Sequence, residues 1–331
     1  MRLHGTPLEA TLRRMRVISA LAGFMGAIWL AAWSWVLYSS CPLAAAAESF
    51  NLREPAPGMF VHVGRQLALN APGHDDIANI GFIQGSKCVA VIDTGGSVAV
   101  GRSLRTAIAH ATSLPICYVI NTHVHVDHVL GNFAFVPARP SFVGSATLAQ
   151  AMVGSAHFFM TEYRDDFSGP PTSNQIIGPD RLVEHEMTLD LGKRRIVLRA
   201  WPRAHTDCDL TVYDESSGTL WTGDLLFRER LPALDGSVKG WLVALEELAR
   251  MDVKLAIPGH GAPTDNLAAA LDPERRYLQS LVDGVREQLA AGKPMSEAVE
   301  HVGIAEKSHW LLWEGVHQRN VGRVYQELEW E

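Results

Sequence analysis

One short segment concentrates three histidines and an aspartate directly after an apolar stretch. The segment reads NTHVHVDH and ends at His128, and residues 116–121 form the apolar stretch. In an extended chain His123 and His125 point to the same side, Asp127 continues that side, and His128 joins them after a local turn. Imidazole nitrogens and carboxylate oxygens are ligands that borderline divalent ions such as Zn²⁺ accept. Core packing alone does not require this pattern, which therefore predicts a metal site at the end of a strand.

Three later segments each place one ligand of the same chemistry after an apolar run. They read AHTD, TGD and PGHG, and they contribute His205, Asp224 and His260. A single histidine or aspartate in such a turn is common and has little predictive value alone. Their order along the chain, after the first cluster, predicts that all of these side chains converge on one site.

The ordered motifs HxHxDH, AHTD, TGD and PGHG resemble those of the metallo-β-lactamase superfamily over residues 60–261. The resemblance implies an α/β fold, an αβ/βα four-layer sandwich with metals at the edge where its two sheets meet. The expected domains are a signal peptide or membrane anchor at 1–47, a catalytic domain at 48–265, and a helical C-terminal extension at 266–331 that packs on the same domain.

Hydrophobic patterning predicts two β-rich halves separated and followed by helices. Strands are predicted over 59–63, 77–84, 88–93 and 116–121 in the first half, and over 182–191, 195–201, 210–214, 219–222 and 253–257 in the second. Helices are predicted over 99–111, 241–250 and 273–291. This order suits two sheets enclosed by helices.

The resemblance also implies a role for each ligand in a site for two divalent ions, zinc first, with iron or manganese as alternatives. The ligands of the first ion would be His123, His125 and His205, and those of the second Asp127, His128 and His260. Asp224 would bridge both ions. Asp93, at the end of the VIDTG stretch, would orient the first histidine cluster without touching metal.

Two divalent ions at such a site activate water for attack on a carbonyl group. Asp127 would orient the nucleophile and accept its proton. The predicted reaction is hydrolysis of an ester, thioester, lactone or amide. A β-lactamase is a weaker alternative, because Asp224 stands where the resemblance places cysteine in β-lactamase subclasses. An iron-dependent sulfur or oxygen redox enzyme is the other alternative, because the same ligands hold iron.

The first 47 residues differ from the rest of the chain. Three arginines within 13–16 precede an uncharged stretch over 17–47, and residues 44–47 are all alanine. This pattern is typical of a signal peptide with a small-residue cleavage site. An uncleaved anchor is the alternative, because the apolar part approaches the ~20 residues that span a bilayer. We expect an exported, periplasmic protein whose only membrane contact would be this segment.

Two further segments point to one subfamily of this superfamily. Residues 75–97 and 115–132, together with the exported N-terminus, resemble the quinoprotein relay system zinc metallohydrolases, exported proteins associated with PQQ-dependent alcohol oxidation. This implies a small-molecule substrate and a quinoprotein dehydrogenase system as partner. The formal net charge of -7 offers no basic field to phosphate backbones, so nucleic acid is not an expected partner.

Three cysteines follow the N-terminal segment: Cys88, Cys117 and Cys208. Their odd number argues against a disulfide framework, so Cys88 and Cys117 are interpreted as small apolar core residues. Cys208, two residues after Thr206 in the AHTD motif, is a candidate for a position near the metals, and the alternative is a small neutral side chain without a functional role.

Substrate specificity is expected from a loop over the metals at residues 157–179, which is rich in Phe, Tyr, Gly and Pro. His309, Trp310 and Trp313 are further candidates. An ordinary surface loop and tryptophans that only pack between helices are an equal alternative.

Overall fold

The computed structural model describes residues 50–331, so the signal peptide or anchor expected at 1–47 lies outside the described residues. Seven strands form the first sheet, in the spatial order of the chain. They are β1 (Arg53–Ala56), β2 (Met59–His62), β3 (Ile80–Gln84), β4 (Val89–Ile92), β5 (Ile116–Ile120), β6 (Ser141–Ser145) and β7 (Arg181–Val183). The pairs from β1 to β4 are antiparallel, and the pairs from β4 to β7 are parallel.

The second sheet has five strands in the order β12-β11-β10-β9-β8. They are β8 (Glu186–Asp190), β9 (Arg195–Ala200), β10 (Leu210–Asp214), β11 (Thr219–Phe227) and β12 (Leu255–His260). Only β11 and β12 pair in parallel here.

Seven α-helices accompany the sheets in the described part of the chain. They are α1 (Val98–Ala111), α2 (Val126–Val129), α3 (Leu148–Glu162), α4 (Val238–Leu248), α5 (Leu267–Ala290), α6 (Met295–His301) and α7 (Val316–Leu328). Short 3₁₀ helices lie at Leu130–Ala138, Arg164–Asp166, Ser173–Gln175 and Ile304–His309. Within residues 50–331, no helix is both long enough and apolar enough to cross a bilayer.

The two sheets face each other across a buried apolar core. Met59 and Ile92 of the first sheet belong to the same core cluster as Leu198 and Trp221 of the second. Helix α1 and the first 3₁₀ helix cover the outer face of the first sheet, and α4, α5 and α7 cover that of the second. The predicted αβ/βα sandwich with C-terminal helices is therefore confirmed.

Helix α1 illustrates how local sequence sets an element next to the site. Ser97 caps it, because its side-chain oxygen accepts a hydrogen bond from the Val100 backbone N–H. Such a cap contributes about 1 kcal/mol. Leu104 and Ile108, one turn apart, are buried against the first sheet. The cap thus fixes where the helix starts after the end of β4.

The stretch 182–191, predicted as one strand, is two strands in different sheets. β7 pairs with β6 in the first sheet, whereas β8 pairs with β9 in the second. Alternating hydrophobicity marks which side chains are buried, but it does not show which neighbour a strand pairs with. Helix α3, at Leu148–Glu162, was not predicted, and it includes the start of the expected 157–179 loop.

The interpretation of Cys88 and Cys117 as unpaired core residues is wrong. The two form a disulfide, with their Cα atoms 5.8 Å apart. Cys117 lies in β5, and Cys88 directly precedes the neighbouring β4, so parallel pairing brings together two residues that are 29 positions apart. Cys208 is a buried free thiol.

Candidate metal centre

The predicted ligands lie at the ends of strands from both sheets. His123 follows β5, His205 follows β9, Asp224 lies within β11, and His260 ends β12. Their side chains meet at one edge of the sandwich in two groups. The first contains His123, His125, His205 and Asp224, and the second contains Asp127, His128 and His260. Within each group the ligand atoms lie within 4.8 Å of one another.

Asp224 lies between the two groups. Its Oδ2 atom is 3.6 Å from His123 Nε2, 3.4 Å from His205 Nε2 and 3.3 Å from His260 Nε2. Its Oδ1 atom is 3.2 Å from His128 Nε2. One carboxylate therefore faces imidazoles of both groups, which is the arrangement that a bridging ligand requires.

Three imidazoles form a hydrogen bond through one ring nitrogen, here called the outer nitrogen, to a residue outside the two ligand groups. His205 Nδ1 lies 2.6 Å from the Ala233 carbonyl oxygen, and His260 Nδ1 lies 2.8 Å from that of Ile77. His125 Nε2 lies 2.9 Å from Asp235 Oδ2. Because a carbonyl or carboxylate only accepts, each outer nitrogen donates. The opposite nitrogen of each ring then carries the lone pair that a metal ligand needs.

Asp93 supports the HxHxDH segment from β4. Its Oδ2 atom accepts from His128 Nδ1 at 2.8 Å and from the Thr122 hydroxyl at 2.8 Å. The same hydroxyl lies 3.0 Å from His123 Nδ1, from which it accepts. Asp93 has a φ of 52°, in the left-handed region that non-glycine residues rarely occupy. Such strain persists where surrounding contacts hold it in place.

Three buried atoms of the centre have no hydrogen-bond partner among the described residues 50–331. They are His123 Nε2, His128 Nε2 and Asp224 Oδ1. A buried polar group without a partner costs about 1–3 kcal/mol. Since all three atoms are donors of electron pairs that divalent cations accept, bound metal ions would satisfy them together. The residues present therefore fit a two-ion site.

The charges of the centre also suit cations. Burial lowers the pKa of His205 to about 3, so this imidazole is neutral at physiological pH. Burial opposes ionisation of Asp224, yet the neighbouring His260 and His128 hold its pKa well below the usual range. Asp224 and Asp93 outweigh burial and raise the pKa of His128 well above its usual range, so a bound cation would take the place of a proton there. The site therefore presents an ionised carboxylate among imidazoles, the donor set of zinc and related ions.

A family model of the metallo-beta-lactamase superfamily matches residues 74–260. The chain belongs to the metallo-β-lactamase superfamily. The matched range begins before β3 and ends at His260, so it contains every predicted metal ligand.

Solved structures of metallo-β-lactamase proteins share the fold. A metallo-beta-lactamase from Pontibacter korlensis is 19% identical, with a TM-score of 0.55, over 69% of this chain and 98% of that one. The sec-alkylsulfatase Pisa1 from Pseudomonas sp. is 19% identical with a TM-score of 0.61, over 84% of this chain and 50% of its own. A beta-lactamase domain protein from Burkholderia ambifaria is 16% identical with a TM-score of 0.61, over 86% and 88%. No match was found among curated protein sequences.

Glycine is required where the two parallel strands of the metallo-β-lactamase centre meet. A Cβ atom on Gly259 would lie 1.8 Å from Asp224 Oδ1 and 2.8 Å from the Gly223 carbonyl carbon. The PGHG motif thus leaves space for the carboxylate of the TGD motif. This explains why a glycine precedes His260, the predicted ligand at the end of β12.

A cavity of about 450 Å³ opens over the metal centre. His125, Asp127, Asp224 and His260 border it, as do residues of α3 and α7. Only the beginning of the expected specificity loop at 157–179 borders the cavity, through Phe158, Phe159 and Tyr163. The first two belong to α3, so a helix rather than a loop provides this wall.

The other specificity candidates lie elsewhere. Trp310 and Trp313 are buried near Tyr277 in the core beneath the second sheet, and neither borders the cavity. His309, also away from the cavity, is more than half exposed. For the tryptophans, the structure supports the alternative in which they pack between helices.

Cys208 borders the cavity but belongs to neither ligand group. Burial raises the pKa of its thiol to about 12. Its sulfur lies 3.4 Å from the Thr206 hydroxyl oxygen. The thiol is therefore neutral, and it is a wall of the cavity rather than one of the clustered ligands.

Four polar residues at the site were missed by the sequence analysis. They are Arg230, Asp235, Arg319 and Arg323, which all line the cavity. Arg319 and Arg323 are one turn apart on α7, a spacing that places them on one face of the helix. Nothing in the sequence shows that this face lies towards the metal centre, and no motif surrounds Asp235.

Proposed function

We propose that this protein is an exported hydrolase that uses two divalent ions, zinc in the first place, to cleave an ester, thioester, lactone or amide. The position of Asp224 carries the proposal. Its carboxylate lies within 3.2–3.6 Å of imidazole nitrogens from both ligand groups. Such an arrangement suits two ions better than one. With a single ion, the carboxylate and two imidazoles of the second group would lie close together without a cation bound between them.

Divalent ions held by the two ligand groups would polarise a substrate carbonyl and lower the pKa of water. Asp127 borders the cavity, and its Oδ2 atom lies 3.4 Å from His260 Nε2. Neighbouring His128 and His260 outweigh burial and lower the pKa of its carboxyl, so the group is ionised. It therefore presents a negatively charged carboxylate to the cavity, which would orient the attacking water and take up its proton.

Export is part of the proposal, and two observations support it. The N-terminal segment carries arginines, a long apolar stretch and an alanine run. Disulfides such as that between Cys88 and Cys117 persist in oxidising compartments such as the bacterial periplasm.

We also propose a role beside a PQQ-dependent alcohol oxidation system, because residues 75–97 and 115–132 resemble the quinoprotein relay system zinc metallohydrolases. Fractionation of the producing cells should recover the protein outside the cytoplasm, and a full-length cytoplasmic product would contradict export.

Metal content per chain tests the two-ion site. Wild-type protein should bind two zinc ions, and Asp224→Ala should lose one of them together with most turnover, because the shared ligand is gone. Asp207→Ala is the matched control. Its carboxylate also borders the cavity, but it is exposed, pairs with Arg203 and belongs to neither ligand group. One ion in both wild type and Asp224→Ala, with activity retained, would refute the two-ion mechanism.

A substrate panel separates the hydrolase from its alternatives. We expect esters, thioesters or lactones to be cleaved faster than β-lactams, because Asp224 replaces the cysteine of β-lactamase subclasses. Efficient carbapenem hydrolysis without any esterase, thioesterase or lactonase activity would favour a β-lactamase. Stoichiometric iron, with a coloured protein that consumes oxygen, would favour the redox alternative.

A further inference from the structure

The C-terminal helix α7 forms one wall of the cavity over the metal centre. Val316, Arg319 and Arg323 lie at positions i, i+3 and i+7, on one stripe of the helix, and all three line the cavity. The two arginine side chains are about half exposed, at 47% and 48%. This wall therefore presents two half-exposed guanidinium groups to the cavity.

The carboxylate next to these arginines does not neutralise them fully. Asp235 lies 3.8 Å from a guanidinium nitrogen of each, Arg319 and Arg323. Neither contact is a hydrogen bond, since 3.8 Å is too long for one, whereas His125 Nε2 does donate to Asp235 Oδ2 at 2.9 Å. One carboxylate, already used by an imidazole, thus faces two cations, and among residues 50–331 no acceptor takes up their N–H groups.

A third guanidinium, that of Arg230, lies inside the cavity wall and is buried. Within residues 50–331 its side chain has one polar contact, with His260 Nδ1 at 3.3 Å. That nitrogen already donates to the Ile77 carbonyl, so it offers no lone pair to Arg230. A buried arginine without an acceptor is costly unless a ligand supplies one.

A second wall of the cavity, formed by α3, is largely apolar. Ala151, Ser155, Phe158 and Phe159 of α3 fall at i, i+4, i+7 and i+8, and all line the cavity. Phe158 is 53% exposed, which is unusual for a phenylalanine side chain. Apolar and cationic walls thus face one space of about 450 Å³, within the size range of small-molecule sites.

We propose that the substrate is an amphiphilic anion, whose carboxylate or sulfate group is bound by Arg230, Arg319 and Arg323 and whose aliphatic chain lies along α3. This substrate class rests on the proposed hydrolase function of the same cavity. Guanidinium groups bind planar carboxylates and sulfates through paired N–H donors. The apolar wall contributes about 0.8 kcal/mol for each buried methylene of the chain.

Binding measurements test this class independently of turnover. The protein as isolated from its cells and loaded with zinc is titrated in a calorimeter with octanoate, octyl sulfate, octan-1-ol and acetate. We expect both octyl anions to bind at least about tenfold more tightly than octan-1-ol and than acetate. Octanoate and octyl sulfate together distinguish a carboxylate from a sulfate preference.

Variants locate the binding groups. The double variant Arg319→Ala/Arg323→Ala should weaken octyl sulfate binding about tenfold or more, and Phe158→Ala should weaken the octyl anions but not acetate. These side chains are exposed, so folding should be retained. Arg230→Gln should have the same effect as the double variant. Arg275→Ala is the control, because Arg275 is exposed, pairs with Asp272 and does not border the cavity.

The outcomes separate this inference from the hydrolase proposal. Hydrolysis of mono-octyl succinate and of p-nitrophenyl octanoate is measured with the same wild-type protein. Anion-selective binding without hydrolysis of any ester would refute the hydrolase and leave the ligand class standing. Octan-1-ol binding as tight as octanoate binding, or a double arginine variant that binds octyl sulfate like wild type, would overturn the ligand class even where hydrolysis is found.

Discussion

Asp235 Oδ2 accepts a hydrogen bond from His125 Nε2 at 2.9 Å, which turns the other ring nitrogen of this histidine towards His205 Nε2, 3.0 Å away. The carboxylate belongs to a segment 110 positions further along the chain. It therefore sets the tautomer and the ring orientation of a predicted metal ligand from outside the ligand groups.

Asp235→Asn should weaken the binding of one metal ion. The amide oxygen still accepts from His125, but the negative charge that makes the imidazole a stronger ligand is lost. Removal of such a partner typically lowers metal affinity about 10–100-fold. Competition with a chromophoric chelator measures this. The matched variant Asp207→Asn changes an exposed carboxylate on the same cavity, and equal losses in both variants would contradict a specific role for Asp235.

Gly259→Ala should displace the Asp224 carboxylate, because the added Cβ would lie 1.8 Å from its Oδ1 atom. We expect loss of bound zinc, together with a decrease in the free energy of unfolding of about 1–3 kcal/mol from overpacking. Metal analysis and urea unfolding measure the two effects. Gly154→Ala is the control, since a Cβ there meets nothing within 4 Å. Full zinc content in Gly259→Ala would show that the strand ends can move apart.

Removal of the disulfide should destabilise the protein. Cys88→Ala/Cys117→Ala should lower the free energy of unfolding by about 2–4 kcal/mol, because the unfolded chain regains the freedom of the closed loop. Dithiothreitol should lower the urea midpoint of wild type and of Cys208→Ala, but not of the double variant. An unchanged midpoint for wild type under reduction would mean that the two cysteines are not paired in the folded protein.

Glu274 should make the protein less stable as pH rises. Its side chain is fully buried, and burial raises its pKa well above the ordinary value of 4.5. Above pH 4.5 the unfolded state loses this proton while the folded state keeps it, so stability falls with pH up to the folded pKa. The expected slope is on the order of 1.4 kcal/mol per pH unit.

Glu274→Gln removes this titration. Between pH 5 and pH 8, urea unfolding of chelator-treated protein should show wild type losing stability relative to the variant. Glu306→Gln is the control of opposite sign, because the hydrogen bonds from Arg276 lower the pKa of Glu306. The contribution of the ionised Glu306 to the free energy of unfolding is already complete above pH 4.5 and is lost only on acidification. Parallel pH profiles for wild type and Glu274→Gln would show that Glu274 is ionised in the folded state.

The sequence alone determined the residues of the two ligand groups and the family. HxHxDH, AHTD, TGD and PGHG are local patterns, and each ligand follows or ends an apolar strand whose burial is readable from composition. Strand ends that carry metal ligands belong together for a chemical reason, since isolated ligands of this kind have no role in a core. The four-layer class followed from the same patterns and from the helical C-terminus.

Only the tertiary structure decided which residues act around that centre. Asp235, the arginines of α7 and the Cys88–Cys117 pair have no local pattern, because each meets its partner through the pairing of strands or the packing of a helix against a distant sheet. Strand 182–191 divided between two sheets for the same reason. Chemistry at strand ends is encoded within a few residues, whereas contacts between elements tens to hundreds of residues apart depend on the free energy of the whole packed core.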